Sequence, residues 1–228
     1  MSTIADNVSQ VDERIRAAAL AAQRDPSTIG LLAVSKTKPA AALREAFAAG
    51  LRDFGENYLQ EALSKQLELA DLPLCWHFIG PIQSNKTRAI AEHFAWVHSV
   101  DRLKIAQRLS EQRPPELPPL NICIQVNVSG EASKSGCTPD DLPALAAAIS
   151  ALPRLTLRGL MAIPEPTEDS AEQNAAFATV RRLQDSLNLP LDTLSMGMSH
   201  DLEAAIAQGA TWVRIGTALF GARDYGQP

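Results

Sequence analysis

The amino-acid sequence predicts an α/β protein built as a single (β/α)8 TIM barrel with an extra N-terminal helix. Three observations carry that reading. Short β-like runs alternate with amphipathic helical stretches, the pattern of parallel βαβ units. Eight such runs fit into roughly 200 residues, which suits a closed barrel. The turn after the first run, Ser35-Lys36-Thr37-Lys38-Pro39, contains no glycine, whereas an open doubly wound sheet normally has a Gly-rich turn there.

Taken in order, residues 3–23 read as a helix, with Ile4, Val8, Val11, Ile15 and Ala18–Ala19 at helical spacing. The β-like runs follow at Gly30–Val34, 52–55, 76–79, 96–99, 121–128, 156–161, 193–196 and 211–215. Between them, Leu59, Ala62, Leu63 and Leu67 share one helical face. Ala176, Phe177, Val180, Leu183 and Leu187 share another. The Pro-rich stretch 113–120 reads as a loop, and Glu165, Glu168, Asp169 and Glu172 as a solvated loop and first helical turn. No internal repeat or domain boundary is evident, so residues 1–228 are expected to form one domain, with a helical segment at 1–25 and a short tail at 222–228.

Composition narrows the function. The chain has 228 residues, 46% hydrophobic and 21% charged, with a net charge of −5. These are the proportions of a globule with a sizeable core. The acidic balance argues against nucleic-acid binding, which needs a basic face. No run approaches the roughly 18 apolar residues of a membrane helix, and the first ten residues lack a secretory pattern. Cys75, Cys123 and Cys137 form no CxxC pair, and an odd, irregular set suggests reduced thiols. The expected location is the cytoplasm. The four histidines show no metal-ligand spacing, so no metal is expected.

In a barrel, chemistry sits just past the C-terminal ends of the strands. That filter selects Ser35, Lys36 and Lys38, then Glu56, Asn57 and Tyr58, Gly80 and Ser84–Lys86, Ser129 and Lys134, Met161, Gly197, Ser199 and His200, and Gly216 and Thr217. Lys36 directly follows an apolar strand, so its amine points at the barrel mouth. Partial desolvation there favours the neutral amine that attacks carbonyls. The loops after strands 7 and 8, where barrels commonly bind phosphate, carry Ser199 and Gly216-Thr217, each where a helix is expected to begin. A Schiff-base lysine opposite a phosphate cradle suggests a phosphorylated carbonyl compound. The residues alone leave two classes open: an aldolase-like enzyme acting on a sugar phosphate, or a pyridoxal 5'-phosphate (PLP) protein.

Several segments resemble the signatures of the pyridoxal phosphate homeostasis protein family. They are VSKTKP (34–39), FGENY (54–58), HFIGPIQSNK (77–86), GLM (159–161), LSMGMSHD (194–201), VRIGT (213–217) and FGARDY (220–225). The resemblance runs in order from about residue 3 to 225. It implies a barrel like the N-terminal domain of alanine racemase, with PLP held as an internal aldimine on Lys36. It further implies that Ser199, Gly216 and Thr217 hold the phosphate and that Arg214 lies near the pyridine nitrogen. Asn57 and Met161 would line the ring, and Lys134 would match a further lysine at the mouth. The implied role is non-catalytic PLP homeostasis, by buffering and delivery, with apo forms of PLP-dependent enzymes as transient partners and a monomeric state.

The alternative is a racemase-like PLP enzyme. Carbanion chemistry wants a protonated pyridine nitrogen, and an arginine there makes the ring a weak electron sink. Two-base racemisation also needs a base on the face opposite the lysine. Alanine racemases draw a tyrosine for this from a second domain. Here Tyr58 lies early in a helix and Tyr225 in the tail, so the expectation is a carrier.

Overall fold

The computed structural model describes residues 2–131 and 135–222. Among them, eight parallel strands close into a barrel in sequence order: β1 (Gly30–Val34), β2 (Asp53–Glu56), β3 (Cys75–Phe78), β4 (Trp96–Val100), β5 (Leu120–Gln125), β6 (Leu155–Met161), β7 (Thr193–Ser195) and β8 (Trp212–Ile215). β8 returns to pair with β1 through Leu31↔Val213 and its neighbours. The helices α2 (Ala40–Ala48), α3 (Leu59–Glu68), α4 (Thr87–His93), α5 (Leu103–Gln112), α6 (Leu142–Ser150), α7 (Ser170–Ser186) and α8 (Leu202–Ala207) form the outer layer. The short α9 (Thr217–Phe220) follows β8. No helix among the described residues is long and apolar enough to cross a membrane.

The N-terminal helix α1 (Ile4–Ala21) begins with a capping box in which the Thr3 side chain and the Asp6 backbone, and the reverse pair, bond each other. Its buried stripe is Val8, Val11, Ile15 and Ala19, close to the face predicted from sequence. This stripe packs against α8, α9 and α2, so α1 braces the last units of the barrel rather than standing apart.

Two elements differ from the sequence reading. The strand expected over 121–128 stops at Gln125 because the chain doubles back: Asn127 N donates to Cys137 O and Cys137 N to Gln125 O, both at 2.9 Å. On α3, Leu67 is 80% exposed, while Lys65 is buried with Leu59 and Ala62. A lysine takes the inward position because two carboxylates and a carbonyl wait for it there, as described below.

Inside the barrel, alternate positions of each strand face inward. Trp96, Cys123 and Met161 fill the lower interior, with Trp212 edge-on to Trp96 at 6.0 Å between ring centroids. The bare backbone of Gly30 makes room for that indole, since a Cβ there would lie 2.3 Å from the Trp212 ring. This floor closes the interior and leaves the open volume at the C-terminal mouth.

Candidate functional site

At the mouth lies a cavity of about 290 Å³. Lys36 just past β1, Asn57 just past β2, Arg214 on β8 and Ser199, Gly216 and Thr217 from the last two loops all line it. Ile79, Ile163 and Met198 supply apolar walls, and Lys38 and His200 complete the polar rim. Among the described residues the lining contains no aspartate or glutamate, although the chain carries a net charge of −5. The site is therefore a cationic recess in an acidic protein, suited to an anionic ligand.

Lys36 is half-buried and sits between two anchored neighbours. Ser35, fully buried on the outer side of the strand, donates from Oγ to Glu56 Oε1 at 2.7 Å. Lys65 Nζ donates to Ser35 O and Glu56 Oε1, each at 2.7 Å, and to Glu61 Oε1 at 2.6 Å. On the far side, Thr37 N donates to Glu61 Oε1 at 2.6 Å, which holds Thr37 in a left-handed conformation with φ of 65°. A buried ionic cluster behind the sheet thus fixes the loop whose next residue faces the cavity. Burial raises the Glu56 carboxyl above its ordinary range, and Lys65 and Ser35 oppose that shift. Lys38 is committed elsewhere: its amine donates to Phe220 O at 3.2 Å and Ala222 O at 2.8 Å.

The β7 loop turns at Gly197, whose φ of 97° is left-handed and whose Cβ would come within 2.6 Å of Ala205. Met198 N then donates to Asp201 Oδ1 at 2.6 Å. From the outside, Arg14 on α1 grips Glu203 through two bonds and donates to Ser199 O at 3.0 Å. Ser199 lies three residues before the first residue of α8, with Asp201 as the N-cap. It is a turn residue held by its backbone, just ahead of a helix that begins where the sequence reading places it. Thr217 does open α9, after Gly216, where the first N–H groups lack partners inside the helix.

Arg214 is 4% exposed. Its guanidinium donates to Ser195 Oγ at 2.8 Å and Ala162 O at 3.0 Å. Burial lowers it to about 10, so it remains charged at neutral pH. Asn57 Oδ1 is buried without a hydrogen-bond partner, an acceptor that a bound donor would satisfy.

Met161 is not brought to this site. It is fully buried against Trp96 and Cys123, because β6 alternation places it one layer below the mouth. The next inward residue, Ile163, lines the cavity instead. Lys134 and Tyr225 lie outside the described residues. Sequence reasoning also missed Ile79, which shares the inward parity of His77 on β3, and Met198, which the left-handed turn at Gly197 brings to the cavity out of strand register. It assigned His77 and His98 no metal-ligand role and singled out neither. Both are fully buried inside the barrel, and His77 comes together with Asp53 and Cys75 at the barrel base. All three thiols stay protonated at neutral pH, since burial pushes Cys75 and Cys123 to about 12 and Cys137 to about 11.

The fold and site together define a barrel of the alanine racemase N-terminal type, and the family model for "Alanine racemase, N-terminal domain" matches residues 2–224. The chain is 80% identical over 228 residues to the pyridoxal phosphate homeostasis protein of Pseudomonas aeruginosa, covering 100% of this chain and 99% of that one. It is 55% identical over 235 residues to the protein of the same name from Escherichia coli, covering 99% of each. This chain therefore belongs to the pyridoxal phosphate homeostasis protein family. Among solved structures, PipY of Synechococcus elongatus with PLP bound is similar at a TM-score of 0.84 and 44% identity, covering 96% of this chain and 100% of that one. Alanine racemase from Corynebacterium glutamicum shares the fold at a TM-score of 0.67 and 17% identity, covering 96% of this chain and 62% of that one.

The cluster behind Lys36 generates a stability prediction. Lys65→Met leaves Glu56 buried without its cation and should cost about 3–5 kcal/mol in urea denaturation. Adding Glu56→Leu should recover most of that loss. A Lys65→Met protein as stable as the wild type would show that the cluster does not brace the loop.

Proposed function

We propose that this chain binds pyridoxal 5'-phosphate at the barrel mouth and holds, buffers and releases it without turning over a substrate. The observation that carries the reading is the cavity in which a strand-end lysine, a buried arginine and two hydroxyl-bearing loops converge, with no carboxylate among its described lining residues. Its size suits a small cofactor, near the lower end of the roughly 300–1,000 Å³ typical of ligand pockets. The partnerless Asn57 Oδ1 fits a ligand that brings a donor. The names of the relatives from P. aeruginosa and E. coli, and the PLP-bound PipY structure, support the same ligand.

In this reading Ser199, Thr217 and the backbone of Gly216 hold the phosphate, while Asn57, Ile79 and Ile163 bound the ring. Bound PLP supplies an aldehyde that condenses with a primary amine, releasing water. Lys36 Nζ is that amine, since Lys36 directly follows the apolar strand β1 and lines the cavity. Arg214 has only N–H groups to offer, so it keeps the facing pyridine nitrogen unprotonated and the ring a weak electron sink. This favours storage over carbanion chemistry. Apo enzymes that need the cofactor are the acceptors in the reading, and the carrier acts as a monomer.

Three outcomes test it. Borohydride reduction and peptide mapping should place the pyridoxyl mass on Lys36, and Lys36→Ala should lose the visible absorbance band; a full band in that variant contradicts the assignment. Each hydroxyl bond to the phosphate is worth about 1.5–3 kcal/mol. Ser199→Ala with Thr217→Ala should therefore weaken PLP far more than pyridoxal, and equal losses would move the phosphate elsewhere. Finally, the loaded protein in deuterated water should exchange the Cα proton of L- or D-amino acids no faster than free PLP does. Stereospecific exchange at about 1–10³ s⁻¹, the range of ordinary enzymes, would establish a racemase instead.

A further inference from the structure

The barrel interior contains a polar chain that the ligand cavity does not by itself require. It starts at Arg214, whose Nη1 is 2.8 Å from Ser195 Oγ. Ser195 Oγ is 2.7 Å from His98 Nδ1, and His98 Nε2 is 2.9 Å from His77 Nδ1. His77 Nε2 is 3.0 Å from Asp53 Oδ1. Five residues on β8, β7, β4, β3 and β2 therefore connect the ligand cavity to the opposite end of the barrel. Ser195, His98 and His77 are each fully buried, whereas the Asp53 side chain is 30% exposed.

Chemistry fixes the direction of every bond. A guanidinium has only donors, so Ser195 Oγ accepts from Arg214. The hydroxyl proton of Ser195 then needs an acceptor, and His98 Nδ1 is in place. His98 accepts there, carries its proton on Nε2 and donates to His77 Nδ1. His77 likewise carries its proton on Nε2 and donates to the Asp53 carboxylate. The opposite tautomers would set a bare His77 nitrogen against that carboxylate, two acceptors 3.0 Å apart. The chain thus runs from a cation to an anion through two neutral imidazoles, a polarity in which each bond strengthens the next. Burial keeps both histidines neutral, His98 the more so because His77 and Arg214 lie beside it.

The ring planes are held as well. His77 stacks on Trp96 at 5.5 Å and 7°, and Trp212 meets it edge-on at 5.1 Å. The Cys75 thiol, 3.5 Å from His77 Nε2, stays protonated and leaves Asp53 as the charged end of the chain.

We propose that Ser195, His98, His77 and Asp53 are positioning residues that hold Arg214 as a fixed, charged donor toward the cavity, with His98 as the link on which its orientation depends. The role toward the cofactor rests on the PLP reading above; the direction of the chain does not. The two fail separately in one set of measurements.

Nitrogen-15 NMR of the protein without cofactor should show both His77 and His98 protonated on Nε2 and bare on Nδ1. The opposite tautomer at either residue overturns the chain, whatever the protein binds. PLP titration, followed by absorbance, then tests the role. His98→Leu should weaken binding about tenfold or more, the scale of one charge-assisted hydrogen bond, and should shift the absorbance band. His98→Gln should stay within about twofold of wild type with the wild-type band, because its amide oxygen and nitrogen replace the ring acceptor and donor side by side. Leu and Gln variants that bind alike overturn the proposal. If His98→Leu does not fold, Ser195→Ala carries the same test, with a tenfold loss expected and an unchanged affinity contradicting it. A wild-type protein with the expected tautomers and no PLP binding would remove the PLP reading and leave the chain standing.

Discussion

Closing eight parallel strands into a ring points alternate side chains into one narrow interior and puts all eight strand ends on one face. A polar group placed inside must find its partner inside, because water cannot reach it. The lower layer solves this with bulk: Trp96, Met161 and Cys123 fill the space. Beside them, a linked set of donors and acceptors runs from Asp53 at the base up to Arg214 at the cavity and gives each buried polar group its partner. The cavity begins where side chains stop filling the ring, and its lining inherits the order that the interior imposes.

A second polar group is buried on the other side of the same wall. Lys65, Glu56 and Glu61 lie between the sheet and α3, and they hold the backbone at Ser35 and Thr37. Lys36 is therefore fixed from behind and Arg214 from below, by separate sets of charges. Isolated buried pairs of this kind rarely add net stability over apolar packing. Their placement next to Lys36 and Arg214 gives them the role of orientation.

Much of this was legible in the sequence, for a definite reason. Strand order and the cavity positions of Lys36, Ser199, Gly216 and Thr217 follow from period and from the rule that barrel chemistry lies past strand ends. What was not legible depends on depth. Met161 and Ile163 share inward parity, and only the height of each in the barrel decides which one meets the cavity. Lys65 lies outside the apolar face read from sequence on α3, and only the fold puts Glu56 and Ser35 behind it. His77, His98 and Ser195 lie 21 and 97 residues apart along the chain, so no local pattern connects them.

The seam between β1 and β8 has a consequence for how the protein is made. Lys36 and Asn57 come from the first quarter of the chain, whereas Ser199, Arg214 and Thr217 come from its last stretch, and α1 packs on α8 and α9. During synthesis the N-terminal half emerges first, and at that point the lysine has no phosphate loops opposite it. The two halves of the cavity meet only when β8 docks on β1. A nascent chain therefore presents an amine but no binding site, and capture of the ligand has to follow ring closure.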